Sequence, residues 1–249
     1  MNGRLRVFAD LATLNQALAR HWQNLAAQAV AARGAFHVAL AGGSTPRQFY
    51  QALAAPDIAG DLPWAQTHCY FGDERCVPRD HADSNYRMAQ QTLLTQVAIP
   101  ASQVYPMYDP AYSPEQNAAR YADLLADQLP KGADGRAMFD LILLGMGGDG
   151  HTASLFPETA ILTERNKLVA AQYVAAQQSW RISLTYPVIN AAQNVVLLVV
   201  GAAKAEIVAT IAAASGGTEQ FPVQRVNPAG ELLWFLDQEA ACLLAADQP

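Results

Sequence analysis

The residues best suited to chemistry stand together in Gly145-Met146-Gly147-Gly148-Asp149-Gly150-His151-Thr152, directly after the apolar run Leu141–Leu144. Four glycines fall within six residues, and glycine lets backbone N–H groups approach a ligand that a Cβ would hold away. His151 is the side chain of this loop that titrates near neutrality, so it can accept a proton from water. Asp149, two residues earlier, can orient the imidazole or bind a sugar hydroxyl. An apolar run of this kind reads as a buried parallel strand, and ligands bind outside the carboxyl ends of such strands. The pattern predicts a catalytic loop.

Three other places supply complementary groups. In Gly42-Gly43-Ser44-Thr45-Pro46 the glycines free the backbone, Ser44 or Thr45 can cap a helix, and Pro46 suits its first turn. Such a helix start cradles phosphate or carboxylate. Gly72-Asp73-Glu74-Arg75 puts two carboxylates and a guanidinium at another strand end, where Arg75 can hold an anion or stabilise a developing oxyanion. Lys204 lies just past Gly201, in the first turn of an expected helix; there it opposes the helix dipole, which an anionic partner would explain. Arg47, Arg181 and Arg225 are further cations with looser placement.

Spacing excludes several chemistries. The Gly42–Pro46 loop lacks the spacing of a Walker motif. Gly145, Gly147 and Gly150 satisfy GxGxxG, but Pro157 follows too soon for the required helix, and the next apolar run, Lys167–Val174, ends without the acid that would bind a ribose. No cofactor is expected. Neither HExxH nor a Cys/His cluster appears, so no metal is expected either. Ser154 lacks a nucleophile elbow, which leaves activated water as the nucleophile. His21, His37, His68 and His81 read as structural or surface residues.

The elements that must position these loops alternate. Strands are expected at Phe36–Ala41, His68–Phe71, Phe139–Leu144, Arg181–Thr185, Val195–Val200 and Leu232–Leu236. Helices are expected over Asp10–Ala32, Pro46–Ala54, Ser84–Leu94, Pro114–Gln128, Pro187–Ala192 and Ala203–Ala213, with long loops at Asp57–Trp64 and Tyr105–Pro114. Such alternation predicts an α/β fold with a mostly parallel, Rossmann-like sheet between helices. No linker interrupts residues 1–249, so one domain is expected.

Composition bounds the partners. Of 249 residues 51% are apolar and 15% charged, a globular balance. The net charge of -6 argues against nucleic acid or an anionic membrane, so any anionic ligand must meet a local cluster of Arg and Lys. No run has the length of a membrane span and no secretory signal is visible. Cys69, Cys76 and Cys242, odd in number and widely spaced, fit reduced thiols in a cytoplasm. A monomer or small homo-oligomer is expected.

In combination the motifs resemble the 6-phosphogluconolactonase family. The likeness runs in order through Ala41-Gly42-Gly43-Ser44-Thr45-Pro46, Gly72-Asp73-Glu74-Arg75-Cys76-Val77-Pro78 with Ser84-Asn85-Tyr86, Gly145 to Pro157, Arg181-Ile182-Ser183-Leu184-Thr185 with Pro187, Gly201-Ala202-Ala203-Lys204 and Gly230-Glu231-Leu232-Leu233-Trp234. The resemblance implies hydrolysis of 6-phospho-D-glucono-1,5-lactone and a three-layer α/β/α fold akin to glucosamine-6-phosphate deaminases and ribose-5-phosphate isomerases. It also implies His151 as the base that activates water, with Asp149 beside it. Arg75 and Lys204 match positions at the substrate's charged end, and Ser44 and Thr45 match the phosphate loop. Gly43, Arg47, Asp73, Gly147 and Arg181 complete the expected substrate contacts. The related deaminases carry a carboxylate just before the proline of the histidine loop; this chain has Phe156 there. A non-catalytic sugar-phosphate sensor is the other alternative, but such a protein should carry a DNA-binding segment, and none is visible.

Overall fold

The computed structural model describes residues 1–132, 135–214 and 220–244. In chain order the elements are β1 (Arg4–Phe8), α1 (Leu11–Arg33), β2 (Phe36–Leu40), α2 (Ser44–Leu53), α3 (Pro56–Ala59), β3 (Thr67–Phe71), β4 (Asp73–Arg75), α4 (Asn85–Ala89) and α5 (Pro114–Gln128). They continue with β5 (Leu141–Gly145), β6 (Val169–Val174), β7 (Ser179–Leu184), α6 (Tyr186–Ile189), β8 (Asn194–Val199), α7 (Ala205–Ala213), β9 (Glu231–Asp237) and α8 (Gln238–Ala241).

Six strands form a central sheet in the order β1-β9-β8-β5-β2-β3, and every neighbouring pair in it is parallel. Its inner strands β2, β5, β8 and β9 are buried along almost their whole length, as strands covered on both faces must be. The long helix α1 shows how a helix docks on such a sheet. Leu14, Leu18, Trp22, Ala26 and Ala29 recur at helical spacing and are all buried, with Trp22 edge-on to Phe36 of β2 at 5.4 Å. Asp10 caps the start by accepting from the Thr13 N–H at 2.8 Å, and Gly34 ends the helix at φ +79°.

The expected fold class is therefore present, with differences in detail. A second, antiparallel sheet orders β4-β7-β6, and it claims Arg181–Leu184 of the strand expected over Arg181–Thr185, which alternation alone assigned to the parallel sheet. Asp73–Arg75 is part of this small sheet and not merely a charged loop. Its three polar residues carried no strand signal, because pairing with β7 and burial decide the matter. β1 escaped notice for a similar reason: Arg4-Leu5-Arg6-Val7-Phe8 is a largely exposed edge strand. The expected loop at Asp57–Trp64 contains most of α3, and the expected helix Ser84–Leu94 is α4 continued by a π-helical turn over Gln90–Leu94. The segment expected helical over Pro187–Ala192 is the four-residue α6.

Gly72 joins the two sheets. Its N–H donates to the Leu40 carbonyl of β2 at 2.9 Å, and its carbonyl accepts from the Leu184 N–H of β7 at 2.9 Å. The chain thus turns straight from the carboxyl edge of the main sheet into β4, which hangs Asp73 and Arg75 over that edge.

At the opposite edge, His37 and His68 stand in register on β2 and β3 with rings stacked at 4.8 Å, and His37 Nδ1 meets the Tyr70 hydroxyl at 3.2 Å. Burial, aided by His68 and Arg33, lowers the His37 pKa from 6.5 to about 4. The unfolded chain therefore binds a proton between pH 6.5 and about 4 that the folded chain refuses, and stability must fall as pH falls through that window. Discounted for partial solvent access, the loss from this residue is about 1 kcal/mol at pH 5. Urea midpoints at pH 7.5 and pH 5 should converge in His37→Gln relative to the wild type; an unchanged difference between the two pH values would remove His37 from this role.

Candidate active site

The carboxyl ends of the central strands open into a cleft of about 230 Å³. Its walls come from the loop after β2, the start of β4, the glycine loop after β5 and the turn after β8. That volume lies just below the ~300–1,000 Å³ range of sites for drug-sized ligands and suits a ligand of monosaccharide size.

The glycine loop is built around His151. The Gly147 N–H donates to the His151 carbonyl at 2.8 Å, and the Thr152 hydroxyl donates to the Gly145 carbonyl at 2.8 Å, so the loop closes on itself. Asp149 Oδ1 sits 2.5 Å from His151 Nδ1 and also accepts the His151 N–H at 3.1 Å. A carboxylate only accepts, so the bond requires the proton on Nδ1 and leaves the Nε2 lone pair free. Burial works to raise the Asp149 pKa, but the His151 N–H and imidazole outweigh it and hold the carboxyl below its ordinary value. The Phe156 ring stacks on the imidazole at 4.1 Å and fixes its plane. Gly147 is required by contact: a Cβ there would lie 2.1 Å from His151 Nδ1 and 2.5 Å from Asp149 Oδ1. Gly150, at φ +74°, passes against the Phe221 side chain, whose Cβ an added Cβ would meet at 2.6 Å and whose ring it would meet at 2.7 Å.

The carboxylate pair Asp73–Glu74 divides its work. Alternate side chains of a strand point to opposite faces, and only Asp73 lines the cleft. Its Oδ2 accepts from the Ser154 hydroxyl at 2.7 Å, three residues beyond His151. Glu74 is buried and turned away. It accepts the N–H groups of Arg75, Asn85 and Tyr86, each at 2.8 Å, and the Ser84 hydroxyl at 3.1 Å. Burial raises its pKa against those three donors. It is a fastener for the Ser84-Asn85-Tyr86 loop.

Positive charge gathers on the same side. Arg75 lines the cleft, donates to the Asp83 carbonyl at 2.5 Å, and has a buried Nε without a partner among the described residues. Arg181 is its register partner across β4 and β7. Only 8% exposed, Arg181 has its pKa lowered by burial and then by the Arg75 charge. The Asp73, Glu74 and Asp83 carboxylates act on Arg181 in the opposite sense, and its Nε donates to the Ser179 hydroxyl at 3.0 Å. Lys204 lines the cleft from the residue just before α7. Its turn is held by Gly201, at φ +93°, whose N–H donates to the Asp237 carboxylate at 3.0 and 3.1 Å.

The loop after β2 offers backbone donors. Gly43, at φ +104°, occupies the cap position of α2, and no side chain caps this helix. The expectation that Ser44 or Thr45 caps it is thus corrected: both lie in the first turn, and their side chains and N–H groups have no partner among the described residues. Pro46 brings no N–H to the turn. The ten-residue α2 directs its positive end at the cleft.

Of the residues singled out from the sequence, Gly43, Ser44, Thr45, Asp73, Arg75, Gly147, His151 and Lys204 share the cleft wall. Asp149 stands behind His151, and Arg181 stands behind Arg75. Arg47 is exposed on α2 away from the wall, because a helix turns successive residues by about 100°. Arg225 is also off the wall and donates to the Leu162 carbonyl at 3.4 Å. Sequence reasoning gave no role to Asn85, set Ser154 aside as a nucleophile, and used Phe156 only to tell this chain from the deaminases. The contacts they make were hidden, since each acts through a neighbour distant in the chain or through packing. Among the described residues, no group of three or more His, Cys, Asp and Glu side chains is placed to hold a metal ion.

Residues 9–234 match the family model described as glucosamine-6-phosphate isomerases/6-phosphogluconolactonase. The chain belongs to this family. It is 45% identical to a 6-phosphogluconolactonase of Synechocystis sp. over 86% of each chain, and 40% identical to one of Nostoc sp. over 87% of this chain and 88% of that one. The solved structure of 6-phosphogluconolactonase from Trypanosoma brucei superposes with a TM-score of 0.84 at 31% identity, covering 98% of this chain and 99% of that one. For a member of this family, the contact at Gly147 has a measurable consequence. In Gly147→Ala the new methyl must displace His151 or Asp149, and a shift near 1 Å costs about 10²-fold in turnover. The expected outcome is that loss with Tm within a few degrees of wild type; full activity would mean that the imidazole need not sit where the loop holds it.

Proposed function

We propose that this chain is a 6-phosphogluconolactonase, hydrolysing 6-phospho-D-glucono-1,5-lactone to 6-phospho-D-gluconate in the oxidative pentose phosphate pathway. The observation that carries the reading is the Asp149–His151 pair at the lip of a cleft that also bears Arg75, Lys204 and the start of α2. A lactone is an ester, so its hydrolysis needs a stronger nucleophile and a site that fixes the ring.

His151 Nε2 accepts a proton as water attacks C1, and Asp149 stabilises the imidazolium that forms. The tetrahedral intermediate collapses with cleavage of the bond between C1 and the ring oxygen. The imidazolium returns its proton to that oxygen as it leaves. Lys204, Arg75 and the first turn of α2, with Gly43, Ser44 and Thr45, hold the phosphate far from C1 and supply remote binding energy. Arg181 backs Arg75, and Arg47 contributes only to the general positive field. Gly147 lets the imidazole approach the ring, and Asp73 faces the sugar. No cofactor or metal takes part.

Phe156 favours this reading over an isomerase-deaminase: the side chain stacked on His151 is an aromatic ring where the deaminase pattern has a carboxylate. An imidazole whose Nε2 is kept basic by a carboxylate is what activation of water requires, which favours this reading over a non-catalytic sensor. Residues 1–249 are read as one catalytic domain working in the cytoplasm as a monomer or small homo-oligomer, without nucleic acid. No helix among the described residues is long and apolar enough to cross a membrane. Burial pushes the Cys69 and Cys76 thiols up to about 12, which suits inert, reduced cysteines.

A direct assay on freshly made 6-phosphogluconolactone tests the reading, with unphosphorylated gluconolactone as control. Turnover well above spontaneous opening is expected for the phosphorylated lactone alone; none above background, or ammonia release from glucosamine 6-phosphate, would overturn it. His151→Ala should lower kcat by roughly 10²–10⁴-fold with little change in KM. Lys204→Ala should raise KM by at least about tenfold, since it removes a charge-assisted bond to phosphate. Unchanged KM would move the phosphate away from Lys204.

A further inference from the structure

Asn85 is 3% exposed yet lines the cleft, and the proposed reaction so far gives it no task. Its backbone N–H is held by Glu74 at 2.8 Å. Its Nδ2 donates to the Asp73 carbonyl at 2.9 Å and to Asp73 Oδ1 at 3.2 Å. Both Asp73 atoms are acceptors only, so the amide cannot be turned over: the NH₂ must face Asp73 and Oδ1 must face the other way. There Oδ1 lies against Gly42, another residue of the cleft wall, where a Cβ would come within 2.1 Å of it. No donor among the described residues reaches Oδ1, and it is absent from the buried atoms that lack a partner, so it keeps access to the cleft.

The Asp73 carboxylate adds acceptor capacity beside it. Each of its oxygens takes one bond, from Asn85 and from Ser154, and a carboxylate oxygen has room for a second. The Asp73–Asn85 side of the cleft thus presents bare acceptors beside the Arg75 guanidinium, which shares the strand face of Asp73. Hydroxyl groups are what these acceptors can bind, since phosphate and carboxylate oxygens bring no proton to donate. Asn85 touches the phosphate-loop side at Gly42, and Asp73 is tied through Ser154 to the histidine loop. The pair thus spans the stretch between the two ends of the ligand.

We propose that Asn85 is a specificity-determining residue whose Oδ1, oriented by Asp73, accepts a hydrogen bond from a mid-ring hydroxyl of the sugar lactone. The proposal rests on the lactonase reading and adds a hydroxyl requirement to its phosphate requirement. A site built around such a bond rejects the analogue lacking the hydroxyl, because a desolvated acceptor is left unpaired.

The test compares kcat/KM for 6-phosphogluconolactone and its 2-deoxy, 3-deoxy and 4-deoxy analogues, each made fresh, on wild type and Asn85→Ala. Wild type should lose at least about tenfold on one analogue, and Asn85→Ala should shrink that ratio towards one while sparing the ratios for the others. Inorganic phosphate should bind both proteins equally, which verifies a folded site. If Asn85→Ala does not fold, Asn85→Ser serves the same comparison. Equal wild-type efficiency on all four lactones would overturn the proposal, as would a variant slowed equally on all of them, which marks a purely structural role. Wild type inactive on every lactone would instead sink the lactonase reading itself.

Discussion

Because a carboxylate can accept but never donate, the short contact between Asp149 Oδ1 and His151 Nδ1 decides which imidazole nitrogen is basic. The rest of the loop is arranged to permit that contact. Gly147 leaves room for both side chains, Phe156 fixes the ring plane, and the Thr152 hydroxyl pins the turn to the end of β5. The Asp149 side chain is about half exposed, so the bond does not depend on deep burial. Its strength comes from two convergent donors of one residue, the ring and the backbone N–H.

The second requirement is that the cations meet the histidine across a small space, and the sheets supply this. Parallel strands end on one edge, so the loops after β2, β5 and β8 converge without further adjustment. Arg75 comes from a different sheet, and Gly72 is what brings it there. Its two backbone bonds lock the last residue of β2 to the last residue of β7, and Arg75 follows three residues on. The buried Glu74 then fastens the Ser84–Tyr86 loop, and so Asn85, to the same strand. Ionic and hydrogen-bonded groups are thereby set on rigid strands, where small displacements are resisted.

The parallel sheet and its histidine loop were legible in the sequence because they rest on local signals. Leu141–Leu144 is an uninterrupted apolar run, and the glycines after it have few structural uses outside a ligand loop. Arg75, Lys204 and the Ser44–Thr45 turn were legible from charge or backbone freedom at strand ends. The small sheet was not. Asp73-Glu74-Arg75 has no strand propensity, and only pairing with β7 makes it one. Division of labour within the carboxylate pair was hidden too, since strand alternation matters only once the strand is known. Arg47 shows the converse: next to the Gly42–Pro46 loop in sequence, it is turned off the cleft wall by the helix it sits in. Asn85 gave no signal by type or spacing, and its place follows from contacts with Glu74, Asp73 and Gly42.

The most direct measurement of the central claim is ¹⁵N NMR of the His151 ring in uniformly labelled protein, at a pH where the imidazole is neutral. The proton should reside on Nδ1, with Nε2 showing the chemical shift of an unprotonated ring nitrogen, and Asp149→Ala should abolish that preference. A wild-type ring carrying its proton on Nε2 would contradict the account, for His151 would then present a donor to the cleft and could not serve as the base.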